Sequence, residues 1–198
     1  FAKGVTPESR VGFRADLNFG KTADLVAAYE PESDGREIYK HIQQAYVSLL
    51  TGKVTWDAGK FVTPIGAEVI ESLDNWNYTR SWLGELSPYH QTGLKIAYPL
   101  SEHFGAQRHR LNGWQMIGDN NSAKTYGTQI AWASDKTTFS FNTLAGPELP
   151  NNDDDWRVLG DLVLTVRPSP SWSFGGSADV ANESRPAGPS AAWWGVAG

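Results

Sequence analysis

The chain has 198 residues, a formal net charge of −5, nine tryptophans and no cysteine. Without cysteine there are no disulfides or thiolate metal sites, and a mildly acidic balance argues against a general nucleic-acid binder. No apolar run reaches the roughly 18 residues of a membrane-crossing helix, but barrel strands alternate and leave only a weak hydropathy signal. The four histidines are scattered and show no ligand spacing. The chain opens at Phe1 and closes on Trp193, Trp194, Gly195 and Val196, which read as the start of another strand. The expectation is a mature segment or fragment forming one partial domain over residues 1–198.

Nearly every segment repeats with period two. In residues 10–19, Val11, Phe13, Ala15, Leu17 and Phe19 share one side, while Arg10, Arg14, Asp16 and Asn18 share the other. That is a strand with one apolar and one polar face. A turn at 20–22 and a strand over 23–29 are expected next, then a polar loop over 30–37. Strands over 38–50 and 54–63 flank the turn Thr51, Gly52, Lys53. After a long connection over 64–88 come strands over 89–100, 103–114, 124–133, 136–145, 156–167 and 171–181, and the partial strand at the end. Segments of roughly ten residues fit a tilted crossing of a bilayer.

Two regularities favour one all-β architecture. Short connections alternate with long ones, as in up-and-down outer-membrane barrels and unlike Greek-key sandwiches. Aromatics also fall at the strand ends of the apolar face, where two membrane–water interfaces select them. Phe19, Trp56, Tyr98, Trp132, Phe139 and Trp172 sit beside the short turns; Tyr29, Tyr39, Trp114, Tyr126 and Trp156 sit beside the long loops. Between them the apolar face carries small or aliphatic residues: Ala27, Val47, Ala58, Ile96, Ile130, Leu162 and Gly176. The polar face, with Arg14, Asp16, Asp24, Lys40, Gln44, Asp57, Lys95, Gln129, Asn142, Arg157, Asp161, Arg167 and Asp179, would line a watery lumen. The expected fold is all-β: an antiparallel up-and-down transmembrane β-barrel, incomplete, with about ten to eleven strands visible.

The connection over 64–88 is the longest in the chain. It carries Glu68, Glu71, Asp74, Arg80 and Glu85 among Trp76, Tyr78 and Trp82. It is too aromatic for a solvated tether, and long loops in compact proteins are usually functional. It is expected to fold into the lumen, with a helical turn near 67–72 and with those five charges among the constriction charges. Other chemistries fit this chain less well. Glu68, Glu71 and Asp74 could serve as acid and base around a glycosidic bond, but no third positioning group accompanies them. Asn152, Asp153, Asp154 and Asp155 lack the spacing of a calcium loop. Gly52–Lys53 and Gly59–Lys60 are not phosphate loops, since no helix follows a glycine-rich strand end. Trp76 and Trp82 could stack on sugars in a secreted β-sandwich, or pack a loop against a wall.

The stretch GKFVTPIGAEVIESLDNWNYTRSWL, followed by ELSPYHQTGLKIAYPLS, resembles the β-barrel porins of the OmpL-like type found in bacterial outer membranes. NGW at 112–114 and GPE at 146–148 extend the resemblance. It implies an outer-membrane porin without enzymatic activity or cofactor, partnered by the lipid bilayer and by small hydrophilic solutes or ions. Homo-oligomerisation is left open. One strand departs from the family pattern, which has aliphatic residues where Arg108 and Arg110 stand. Both arginines fall on the apolar register, where each would cost about 2–4 kcal/mol at the bilayer midplane.

Overall fold

The computed structural model describes residues 1–28, 30 and 36–198. Strands β1 (Ala2–Lys3), β2 (Val11–Leu17), β3 (Ile42–Thr51), β4 (Val54–Val62), β5 (His90–Pro99) and β6 (Phe104–Leu111) form the first half of the chain. Strands β7 (Thr125–Ala133), β8 (Thr137–Pro147), β9 (Trp156–Ser169), β10 (Trp172–Glu183) and β11 (Ala191–Ala197) form the second. All eleven lie in one sheet in sequence order. Each pairs antiparallel with the next, as in Asp57↔Lys95 and Asp161↔Asp179. This is an up-and-down sheet, not a two-sheet sandwich, and among the described residues no ladder joins β1 to β11. No described helix is long and apolar enough to cross a membrane.

The two faces separate by alternation. Val11, Phe13, Leu17, Trp56, Ile130, Leu162, Leu164, Trp172 and Phe174 are exposed, and Leu94, Ile96 and Trp132 partly so. On the other register Asp57 and Asp161 are buried and Lys95 and Arg157 half-buried. The inward residues Phe61, Leu111, Leu144, Leu159 and Ala181 pack with Ile65 and Trp114. Polar residues therefore line the middle of the inward face, and an apolar layer closes it towards the long connections.

Three expectations need correction. Residues 21–26 form helix α1 (Lys21–Val26), not the start of a strand over 23–29, and α2 (Arg36–Tyr39) precedes β3. Ala23, Val26 and Ala27 stand at i, i+3 and i+4 and are buried together, so the helix gives them one face. Gln115 Nε2 donates to the Val26 carbonyl at 2.8 Å. Ala27 is thus packed within the protein instead of facing lipid, and Tyr29 lies outside the described residues. Asp24 and Lys40 pair with each other at 3.1 Å on this helical connection, not on a strand facing a lumen. Second, Leu17 pairs with Ile42, so β2 ends at the long-connection rim. Phe19 stands there, not beside a short turn, with its ring stacked on His41 at 5.0 Å. Third, β6 stops at Leu111, and Trp114 beyond it turns into the inward core instead of joining an outward aromatic ring. Its ring meets Trp193 edge-on at 6.5 Å.

Gly59 and Gly93 oppose one another in the β4–β5 ladder with φ of +137° and +152°. A Cβ on Gly59 would lie 2.2 Å from the Ala45 carbonyl, and one on Gly93 2.2 Å from that of Arg110. Side chains are excluded there by both space and backbone conformation. Gly93→Val should therefore cost at least about 2 kcal/mol. We expect the variant to lose the folded, heat-modifiable band in unboiled SDS gels, and wild-type mobility would contradict this packing.

Candidate functional site

The connection between β4 and β5 reaches across to the inward faces of strands late in the sheet. Near its start, Gly66 N–H donates to Asp161 Oδ2 on β9 at 3.0 Å. Near its end, Ser87 Oγ donates to Asp179 Oδ2 on β10 at 3.2 Å. Leu83 fills the space over Gly195 of β11, where a Cβ would meet its Cδ1 at 2.8 Å. Trp76 lies over Gly175 in the same way. Both ends and the middle of the connection are thus held against one wall.

Its internal order is local. A 3-10 turn at Ser72–Asp74 and helix α3 (Trp82–Leu86) replace the helical turn expected over 67–72. Asn75 fixes the first by bonding both the N–H of Val69 at 2.8 Å and its carbonyl at 2.9 Å. Ser81 caps α3, its Oγ accepting from Gly84 N–H at 3.1 Å. Glu68 accepts from Ser81 N–H at 2.9 Å and also from the Ser81 hydroxyl. Arg80 donates to Glu85 at 3.1 Å and to the Ile70 carbonyl at 3.2 Å. The Tyr89 hydroxyl donates to Glu85 at 2.5 Å. Burial, reinforced by that bond to a carboxylate, pushes the Tyr89 phenol up to about 12.

A cavity of about 240 Å³ opens between the connection and the sheet. Arg14, Glu68, Glu71, Asp74 and Arg80 line it, with Gln44 and Ser177. Four of the five charges singled out on the connection therefore share a cavity with Arg14 of β2. Glu85 is set apart in the pair with Arg80. Glu71 accepts from Gln43 of β3, and Asp16 takes Arg14 Nε at 2.6 Å and Gln44 Nε2 at 2.8 Å. A second cavity of about 520 Å³ lies between Trp76, Trp82, Glu68 and Asp74 on one side and Arg167 and Gly176 on the other.

The remaining lumen-facing candidates belong to a polar belt along the inward face. Ser48 donates to Asp57 at 2.6 Å, and Lys95 pairs with Asp57 at 3.0 Å. The Lys95 ammonium also sits 4.9 Å from the Phe61 ring centre. Further along, Gln107 donates to Gln129 at 2.7 Å, Gln129 to Asn142 at 2.8 Å and Asn142 to Asp161 at 2.6 Å. Directly opposed positions on four consecutive strands thus form an amide chain that ends on a carboxylate. Arg157 grips Glu183 at 2.6 Å and lies 4.9 Å over Trp114.

The sequence singles out the charges but not Ser87, Gly66 and Glu183, which pair with them, nor Gln107 and His109 of the same belt. Gln107 and His109 were legible as the inward register of the strand whose outward register holds Arg108 and Arg110. Ser87 and Gly66 carried no local signal. Among the outer aromatics, Trp56, Tyr98 and Trp172 stand near short turns, Trp132 beside Phe104 at the same rim, and Trp156 at the long-connection rim.

A single in-order antiparallel sheet with apolar outward and polar inward registers is the frame of a barrel. The family model described as putative beta-barrel porin-2, OmpL-like, matches residues 1–198. The chain belongs to that family. No curated protein and no solved structure matches it. The OmpL-like assignment makes the outward register the lipid side and the inward register the interior side of a porin-like barrel fold.

Two outcomes check this site. Asp161→Ala removes the acceptor for Gly66 N–H and Asn142, a loss of about 1–3 kcal/mol. Arg80 is the sole Lys or Arg between Lys60 and Lys95. Trypsin cleavage after Arg80 should accelerate about 5–150-fold in the variant if the connection opens locally; an unchanged rate would mean Asp161 does not hold it. For Tyr89, the folded value lies above the unfolded one of about 10. The associated stability is therefore complete below pH 10 and lost as pH rises through about 12. Ultraviolet titration of the folded protein should show a phenol ionising near pH 12 that disappears in Tyr89→Phe.

Proposed function

We propose that this OmpL-like porin forms an outer-membrane channel for passive diffusion of small hydrophilic solutes or ions, with the β4–β5 connection as its constriction. No bond is made or broken. One observation carries the reading: a connection pinned at both ends to inward carboxylates presents Glu68, Glu71, Asp74 and Arg80 around the cavity that Arg14 completes. Irregular backbone is tolerated at membrane depth only where it is buried in protein or lines a water-filled cavity. Rings of charge filter solutes by field and by size.

The hydrogen bonds suggest which charges act on solute. Both Glu68 oxygens serve Ser81, and Arg80 is neutralised by Glu85. Glu71 and Asp74 are the carboxylates least committed to holding backbone, so the constriction should favour cations.

Planar-bilayer recordings on the full chain test the proposal. Glu71→Gln with Asp74→Asn should shift the reversal potential under a salt gradient towards zero cation preference. Deleting residues 68–83 should raise single-channel conductance severalfold. Wild-type conductance after that deletion, in a barrel that still folds, would place the connection outside the conducting path.

A further inference from the structure

We propose that the outward face of β6 to β8 holds a binding site for the phosphate of an anionic lipid headgroup, with Arg108 and Arg110 as its cations. The proposal rests on the outer-membrane barrel reading, because it needs this register to face lipid. Its starting point is the outward register of β6, which carries two arginines among largely apolar neighbours.

The ladder leaves no doubt about the register. Arg108 lies between Ile96 on β5 and Thr128 on β7; Arg110 lies between Leu94 and Tyr126. His109, between them, points inward, is buried and meets the Phe61 ring edge-on at 6.1 Å. Both arginines are exposed. The ion pairs Asp57 with Lys95 and Arg157 with Glu183 belong to the inward face, and Asp119 in the β6–β7 connection is taken by Lys124. No outward-register position of β4, β5, β7, β8 or β9 is Asp or Glu. Among the described residues, then, the strands of this wall offer the two guanidinium groups no carboxylate.

The surroundings fit an amphiphile with a charged head. Thr128 stands opposite Arg108 and Thr143 opposite Thr128, their hydroxyls bonded at 2.7 Å. Gly160 follows on β9. A polar notch therefore interrupts the apolar belt over adjacent strands at one height. One register step nearer the short turns, Ile130, Phe141 and Leu162 make an exposed apolar row that an acyl chain could cover. Arg108 and Arg110 are about 7 Å apart along the strand, and both flexible side chains can reach one phosphate. They lie in the half of β6 nearer the long connections, with Tyr126 beside Arg110. Long connections mark the outer side of such barrels, so snorkelling brings both heads towards the outer-leaflet headgroups. Guanidinium matches phosphate with paired, charge-assisted hydrogen bonds. A phosphate thus supplies the counter-charge that the wall lacks.

The test uses the full chain folded in an uncharged maltoside detergent, with phosphatidylglycerol as the probe and phosphatidylcholine as control, read by native mass spectrometry. Wild type should retain phosphatidylglycerol in preference to phosphatidylcholine. Arg108→Leu with Arg110→Leu should weaken that retention at least tenfold while keeping the heat-modifiable band, and Lys53→Ala in a short turn should leave it unchanged. Arg110→Gln serves as the milder variant should the double variant not fold. Equal retention by wild type and variant would overturn the proposal, as would equal retention of both lipids. Displacement by millimolar inorganic phosphate would reduce the site to one for free phosphate. A dimer or trimer that dissociates on substitution without change in lipid retention would make this face a contact between copies. If the wild-type chain shows no heat-modifiable species in any detergent, it is the barrel reading that fails.

Discussion

Everything in this fold depends on one constraint: backbone N–H and C=O groups facing hydrocarbon must be satisfied by protein. Each strand meets it by pairing with the next in sequence, from β1 through β11. Once the ladder is fixed, the side-chain register follows without further choice, because alternate residues must face opposite sides. Apolar and aromatic side chains then take the lipid side. The other side must accommodate whatever polar residues remain, and here they satisfy one another across strands. The amide chain from Gln107 to Asp161 and the group of Ser48, Asp57 and Lys95 are products of register, since each link joins positions directly opposed in the ladder.

Legibility in the sequence follows the same logic. Properties set by period and sign could be read: strand succession, the two faces, the alternation of short and long connections, and the long charged connection itself. Residues 23–29 show where period fails. Ala23, Leu25 and Ala27 alternate as a strand would, while Ala23, Val26 and Ala27 follow helical spacing, and seven residues cannot discriminate. Packing of the helical face decided between them. Trp114 escapes the alternation because it lies past the end of β6, where no ladder enforces it.

The charges of the candidate site were legible as a set, but their division of labour was not. Gly66 and Asp161 are far apart in sequence, as are Ser87 and Asp179, and no local pattern announces either contact. Only the curvature of the sheet around the connection brings them together. The same holds for Arg14, which reads as one strand charge among many until the curved wall sets it beside Glu71 and Asp74.

That division of labour bears on what a constriction can do. A connection inside a barrel has its own unpaired backbone, and water alone would leave it mobile. Here carboxylates supply acceptors at fixed points: Asp161 for Gly66, Asp179 for Ser87 and Glu68 for Ser81. A carboxylate held this way directs its field at the group it binds and is partly screened from a passing solute. If the connection is the constriction proposed above, the acids that position it and the acids that act on solute must therefore differ. A chain that needs both requires more acidic residues on its inward side than selectivity alone would demand. In the channel proposed above, the inward Asp and Glu are then structural first, and the field on a solute would be set by the few carboxylates the anchoring leaves over.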